Sequence, residues 1–105
     1  MIHPILPVGL MAAALLSMPA SAQDANALRI KALAATCAAC HGTAGRAVEA
    51  AAVPGLAGLP AAYMVEQMKA FKNGSRPATV MHQLAKGYSD AQIEQLAAYF
   101  AAQPR

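Results

Sequence analysis

Apolar and polar residues follow a helical period in three parts of the chain. Between about Asn26 and Ala39, Ile30, Leu33 and Cys37 recur at i, i+3 and i+7 on one face, while Arg29 and Lys31 fall elsewhere. Asp24 or Asn26 is the N-cap expected for this helix. A second helix is expected from Pro60, a favourable first helical residue, with Met64, Met68 and Phe71 on one face. Glu66, Lys69 and Asn73 face elsewhere, and Gly74 is the expected left-handed terminator. The third helix opens on Ser89-Asp90-Ala91-Gln92, a capping-box pattern. Ile93, Leu96, Ala97 and Phe100 form its apolar stripe, and it ends near Pro104. Gly42, Gly45, Pro54, Gly55 and Gly58 keep the segment from His41 to about Leu59 irregular, and a second loop covers Ser75 to Tyr88. No segment alternates as a strand would. The expected fold class is all-α, with three main helices in one domain.

A fourth apolar stretch, Val8 to Met18, differs in kind. It is too short to span a bilayer, and Pro4, Pro7 and Pro19 flank it. Ala20-Ser21-Ala22 then offers small residues for cleavage, so residues 1–22 are expected to be an export signal and 23–105 the mature domain. The n-region departs from the usual pattern in having no Lys or Arg, only His3. The expected location is the bacterial periplasm.

Composition then raises a problem. The chain has 105 residues, 57% of them hydrophobic, but from position 23 onward there are 23 alanines and only 20 large core formers. Alanine buries little area, and burial stabilises by roughly 25 cal/mol per Å². Domains this small usually need a disulfide, a metal or a bound group to complete the fold. A self-sufficient, large-cored enzyme is not indicated. The formal net charge of +3 is mild and dispersed, with a loose cluster at Lys69, Lys72 and Arg76. There is no basic run with aromatic interleaving, so nucleic acid is not an expected partner. An acidic protein partner fits better, although a merely solvated helix face is the simpler explanation of the cluster.

Cys37-Ala38-Ala39-Cys40-His41 carries the chemistry. At the end of a helix, residues i and i+3 share a face. Two thiols so placed can reach the two vinyl groups along one haem edge, and the next residue can turn its imidazole onto the iron. The spacing Cys-x-x-Cys-His is that of c-type haem attachment. Three other chemistries use similar residues. A Cys37–Cys40 disulfide would close a very short loop and stabilise little. A thioredoxin-like pair needs a βαβ surround, which the pattern lacks. A zinc site would add His41 and His82, at a spacing unlike the usual fingers.

An iron opposite His41 needs a ligand from farther along the chain, and Met64, Met68, Met81 and His82 are available. Met64 and Met68 lie on the apolar stripe with Phe71, where core packing accounts for them. Met81 precedes the last helix in an expected loop, where backbone freedom lets a thioether reach iron. His82, its neighbour, is expected to face solvent. A Met/His pair raises the reduction potential relative to two histidines and fills both axial positions, which suits electron transfer.

Taken together, Cys37 to His41 at a helix end, Pro54-Gly55-Leu56-Ala57-Gly58, and Met81 before a C-terminal helix resemble a class I c-type cytochrome over essentially all of 23–105. The resemblance implies a cytochrome c-like fold around one covalently attached haem c, assembled outside the cytoplasm. It also implies that a backbone carbonyl at Pro54 holds the axial His41, which would orient the ring and tune its basicity. A closer likeness runs through Ala70-Phe71-Lys72-Asn73-Gly74, Ala78-Thr79-Val80-Met81, Ala85-Lys86-Gly87-Tyr88-Ser89 and Leu96-Ala97-Ala98-Tyr99-Phe100. These segments are similar to the cytochrome subunit of flavocytochrome c sulfide dehydrogenase, which accepts electrons from a sulfide-oxidising flavoprotein subunit. Many such subunits carry two haem domains, whereas this chain has one Cys-x-x-Cys-His. Arg29 and Leu33 stand where the family's N-terminal glycine and aromatic residue are expected, so Tyr99 or Phe100 should meet Leu33 or a small residue.

The expected function is therefore a periplasmic single-haem electron carrier, not an enzyme in itself. Cys37 and Cys40 would form the thioethers, and His41 and Met81 would be the axial ligands. The implied partner is a redox protein, with a sulfide-oxidising flavoprotein subunit as the donor. The alternatives are a free carrier serving another redox enzyme and a sensor or peroxidase-like protein with an open sixth position if Met81 does not bind iron. A haem-free thiol protein is a third.

Overall fold

Five helices occur in the computed structural model, which describes residues 22–105, and there is no strand among the described residues. They are α1 (Ala22–Ala35), α2 (Ala38–His41), α3 (Ala61–Asn73), α4 (Met81–Ala85) and α5 (Asp90–Ala101). The expected export segment lies outside the described residues except for Ala22.

The two helices with the clearest local signals form as expected. At α5 the Ser89 hydroxyl accepts from Gln92 N–H at 3.1 Å, and the Gln92 side chain accepts from Ser89 N–H at 2.9 Å. This reciprocal cap satisfies two of the free N–H groups at the helix start. The stripe Ile93, Leu96, Ala97 and Phe100 is buried along its whole length. Helix α3 starts one residue later than expected, because Pro60 is extended (φ −58°, ψ 130°) and serves as the N-cap. It stops at Gly74, which is left-handed at φ 83° with its N–H on Phe71 O. On the expected apolar face of α3, Met64 is buried and Met68 and Phe71 are half-buried.

The first expected helix is divided. Helix α1 already includes Asp24 and Asn26, so neither caps it among the described residues. At its other end Thr36 N–H and Cys37 N–H bond three residues back, to Leu33 O and Ala34 O. The turn tightens there, and α2 restarts from Cys37, whose carbonyl accepts from Cys40 N–H and His41 N–H. The loop beyond His41 holds only one 3₁₀ turn, Thr43–Gly45, as its glycine content implies. The second loop is more ordered than expected, since α4 occupies its middle and Met81 is the first residue of that helix.

Helix α3 packs on α4 and α5, and α1 packs on α5. The centre of this packing is Ala34, Met64, Leu96, Ala97 and Phe100, with Leu33, Cys37, Leu56, Tyr88 and Tyr99 against it. Phe100 thus belongs to the same cluster as Ala34, against which Leu33 packs. Fully burying a Leu, Ile or Phe stabilises by about 1.5–3 kcal/mol. Yet the buried apolar residues among the described ones are Ala34, Ala57, Met64, Ala85, Ile93, Leu96, Ala97 and Phe100. Half are alanine, so the protein core is as thin as the composition indicates.

Candidate haem site

The loop between α2 and α3 holds His41 in place. His41 is 8% exposed, and its Nδ1 lies 2.7 Å from Pro54 O. A carbonyl can only accept, so Nδ1 carries a hydrogen, and Nε2 holds the lone pair of the neutral ring. A second set of bonds pins the loop. Gly45 O accepts from Leu56 N–H at 2.7 Å and Ala57 N–H at 3.1 Å, and Gly58 N–H donates to Phe100 O at 2.9 Å. The last of these ties the loop to α5. The segment just beyond the carbonyl that orients the imidazole is therefore anchored both to Gly45 and to α5.

The two cysteines are unbridged thiols, Cys37 half-buried at the α1–α2 break and Cys40 exposed on α2. Burial pushes the Cys37 thiol pKa up. A redox-active cysteine needs the opposite shift. Among the described residues no three His, Cys, Asp or Glu side chains gather as a metal cluster, so the set Cys37, Cys40, His41 and His82 does not assemble for zinc.

Met81 is half-buried at the start of α4. Leu84 lies three residues on, on the same side of the helix. Leu84 and the preceding Val80 are each 49% exposed, although both are large and apolar. His82 is not at the surface as expected: it is half-buried, and its Nδ1 is buried without a hydrogen-bond partner. Two thiols at i and i+3, an imidazole presenting Nε2, a thioether on a partly uncovered apolar helix and a thin alanine-rich core all fit a flat apolar cofactor with an iron at its centre.

The cations on and just after α3 are less free than the sequence implies. Lys72 Nζ donates to Tyr88 O at 2.6 Å and pairs with Asp90 at 3.2 Å, and Lys69 pairs with Glu94 at 3.9 Å. Arg76 donates to Gln67 and lies over the Phe71 ring, 4.7 Å from its centroid. Exposed pairs of this sort contribute about 0–1 kcal/mol each, but they take the two lysines away from a free basic patch. The sequence also missed Thr36 and Tyr88, whose hydroxyls meet at 3.3 Å across 52 positions, a separation without a local signal.

Comparison with known proteins agrees with this geometry. The cytochrome c family model matches residues 27–103, and the chain belongs to that family, as a class I c-type cytochrome. The family implies covalently bound haem c, and the chain's one Cys-x-x-Cys-His corresponds to one haem. It is 46% identical over 68 residues to the thiosulfate dehydrogenase electron acceptor of Thiomonas intermedia, covering 65% of this chain and 31% of that protein. It is 35% identical over 102 residues to the protein of the same name from Stutzerimonas stutzeri, covering 93% of this chain and 47% of that one. To the cytochrome subunit of sulfide dehydrogenase of Chlorobaculum tepidum it is 41% identical over 68 residues, covering 65% of this chain and 60% of that subunit. The chain thus spans about a third to three fifths of the length of these relatives. The solved structure of Acidithiobacillus ferrooxidans cytochrome c4 aligns with a TM-score of 0.62 at 33% identity, covering 79% of this chain and 49% of that one. Among the described residues no helix is long and apolar enough to cross a membrane.

Proposed function

We propose that this cytochrome is a periplasmic single-haem electron carrier whose donor is a sulfide-oxidising flavoprotein subunit. Residues 1–22 are the export signal removed on the way, and 23–105 are the haem domain. Cys37 and Cys40 supply the thioether sulfurs, His41 Nε2 and Met81 Sδ the two axial ligands, and Pro54 O the hydrogen bond that orients His41. The observation that carries this reading is the His41–Pro54 contact of 2.7 Å, which leaves Nε2 as the ligand atom of a buried ring.

When bound, the haem supplies a one-electron ferric–ferrous couple. The chain's own groups orient it and set its potential. A histidine and a methionine raise that potential relative to two histidines, and together they leave no open position for a small molecule. The apolar surface of Val80 and Leu84 beside Met81 helps exclude water from that side. The donor assignment draws on the relative named as a sulfide dehydrogenase subunit. A second reading, a free carrier serving another redox enzyme, is favoured by the two relatives named as thiosulfate dehydrogenase electron acceptors.

The ligand set is tested by the Met–iron charge-transfer absorption of the ferric protein. It should be present in the wild type and absent in Met81→Ala. Survival of the band in Met81→Ala would transfer the role to Met64 or Met68. Purification from the periplasm tests the partner. A co-purifying flavoprotein supports the subunit reading, and a monomer that still accepts electrons from a thiosulfate-oxidising enzyme supports the carrier.

A further inference from the structure

Tyr88 bonds through three different groups to three different parts of the chain. Its N–H donates to Ala85 O at 3.2 Å and closes the C-terminal turn of α4. Its carbonyl accepts from Lys72 Nζ on α3 at 2.6 Å. Its hydroxyl meets Thr36 Oγ1 at 3.3 Å, next to Cys37. The direction of the last bond follows from counting hydrogens. Thr36 has one hydroxyl hydrogen and gives it to Leu33 O at 2.7 Å, so Tyr88 O–H donates to Thr36. The ring itself packs against the core cluster, which fixes where the hydroxyl points.

We infer that Tyr88 is a positioning residue that straps α4 to the α1–α2 break, and so holds Met81 over the site that Cys37 and His41 define. This rests on the reading of Met81 as an axial ligand. Helix α4 has only five residues, and Val80 gives it no side-chain cap. A helix that short does not hold itself in place and depends on tertiary contacts. The bond from Tyr88 to Thr36 directly links the segment carrying Met81 to the segment carrying Cys37, Cys40 and His41. Without it α4 swings away more readily, and the thioether yields its place to a competing ligand more easily. The relay also accounts for Thr36 at the break. Its hydroxyl ends the α1 turn on Leu33 and receives the strap.

The test is a titration of the ferric holoprotein with imidazole, followed by loss of the Met–iron charge-transfer band. Tyr88→Phe keeps the ring and removes the donor, and should bind imidazole about three- to tenfold more tightly, the weight of one hydrogen bond. Thr36→Val should match it, and Thr36→Ser, which keeps the acceptor, should behave as the wild type. The double variant Tyr88→Phe/Thr36→Val should shift no further than either single one, because both remove the same bond. Gly74→Ala, which strains the left-handed turn that ends α3 and removes neither hydroxyl of the strap, should leave imidazole affinity unchanged while lowering stability. That contrast separates positioning of Met81 from a general loss of structure. Wild-type imidazole affinity in Tyr88→Phe with the band intact overturns the strap alone, and so does a shift in Tyr88→Phe that Thr36→Val does not share. A wild type without the band overturns Met81 ligation and the strap with it.

Discussion

Gly45 and Gly74 have nearly the same positive φ, 77° and 83°, but very different surroundings. A Cβ at Gly74 would meet nothing within 4 Å. A Cβ at Gly45 would lie 2.8 Å from Phe100 Cδ1, 3.0 Å from Ala57 N and 3.0 Å from Leu56 Cβ. Alanine at either position bears the left-handed strain, about 1–2 kcal/mol. Only Gly45→Ala adds overpacking against a buried ring and a backbone, about 1–3 kcal/mol. Gly45→Ala should therefore lose about 2–5 kcal/mol and Gly74→Ala about 1–2. For a domain of this size each kcal/mol lowers Tm by roughly 4–8 °C. Thermal unfolding of the two haem-loaded variants, followed by circular dichroism, should place Gly45→Ala at least about 4 °C below Gly74→Ala. Gly45 O also holds Leu56 and Ala57 N–H, two and three residues beyond the carbonyl that orients His41. The reduction potential should accordingly move in Gly45→Ala and stay put in Gly74→Ala. Equal losses of stability in the two variants would show that the close approach of Gly45 to Phe100 has no energetic weight.

Three further outcomes are expected. Phe100→Ala empties the centre of the packing between α1, α3 and α5 and should lose about 3–5 kcal/mol in urea unfolding, a large share of the stability of so thin a core. Ser89→Ala removes the α5 cap and should lose about 1 kcal/mol, whereas Ser89→Thr should retain most of it; urea midpoints distinguish them. The variant Cys37→Ala/Cys40→Ala, purified without haem, should lack a cooperative unfolding transition, and a sharp calorimetric peak would show that the protein core suffices alone.

Helices α3 and α5 were legible in the sequence because their signals are local. Gly74 supplies a left-handed stop, Ser89 and Gln92 a reciprocal cap, and Ile93, Leu96, Ala97 and Phe100 a stripe of the right period. The haem motif was legible for the same reason, since its spacing lies within one helical turn. The alanine content also foretold a thin core. The break at Thr36 and Cys37, however, carries no glycine or proline to announce it. Helix α4 is too short for a period to be read, and Val80 offers no cap.

What the sequence by itself determined is the Cys-x-x-Cys-His motif, the family it belongs to, the reciprocal cap of α5 and the glycine stop of α3. The tertiary structure decided the relations between distant parts: His41 on Pro54, Tyr88 on Thr36, Lys69 and Lys72 on the carboxylates of α5, and the burial of His82. Each of those depends on how groups apart in sequence are brought together by the folded chain. A hydrogen bond between residues 52 positions apart leaves no periodic trace, because the chain between them sets its geometry as a whole.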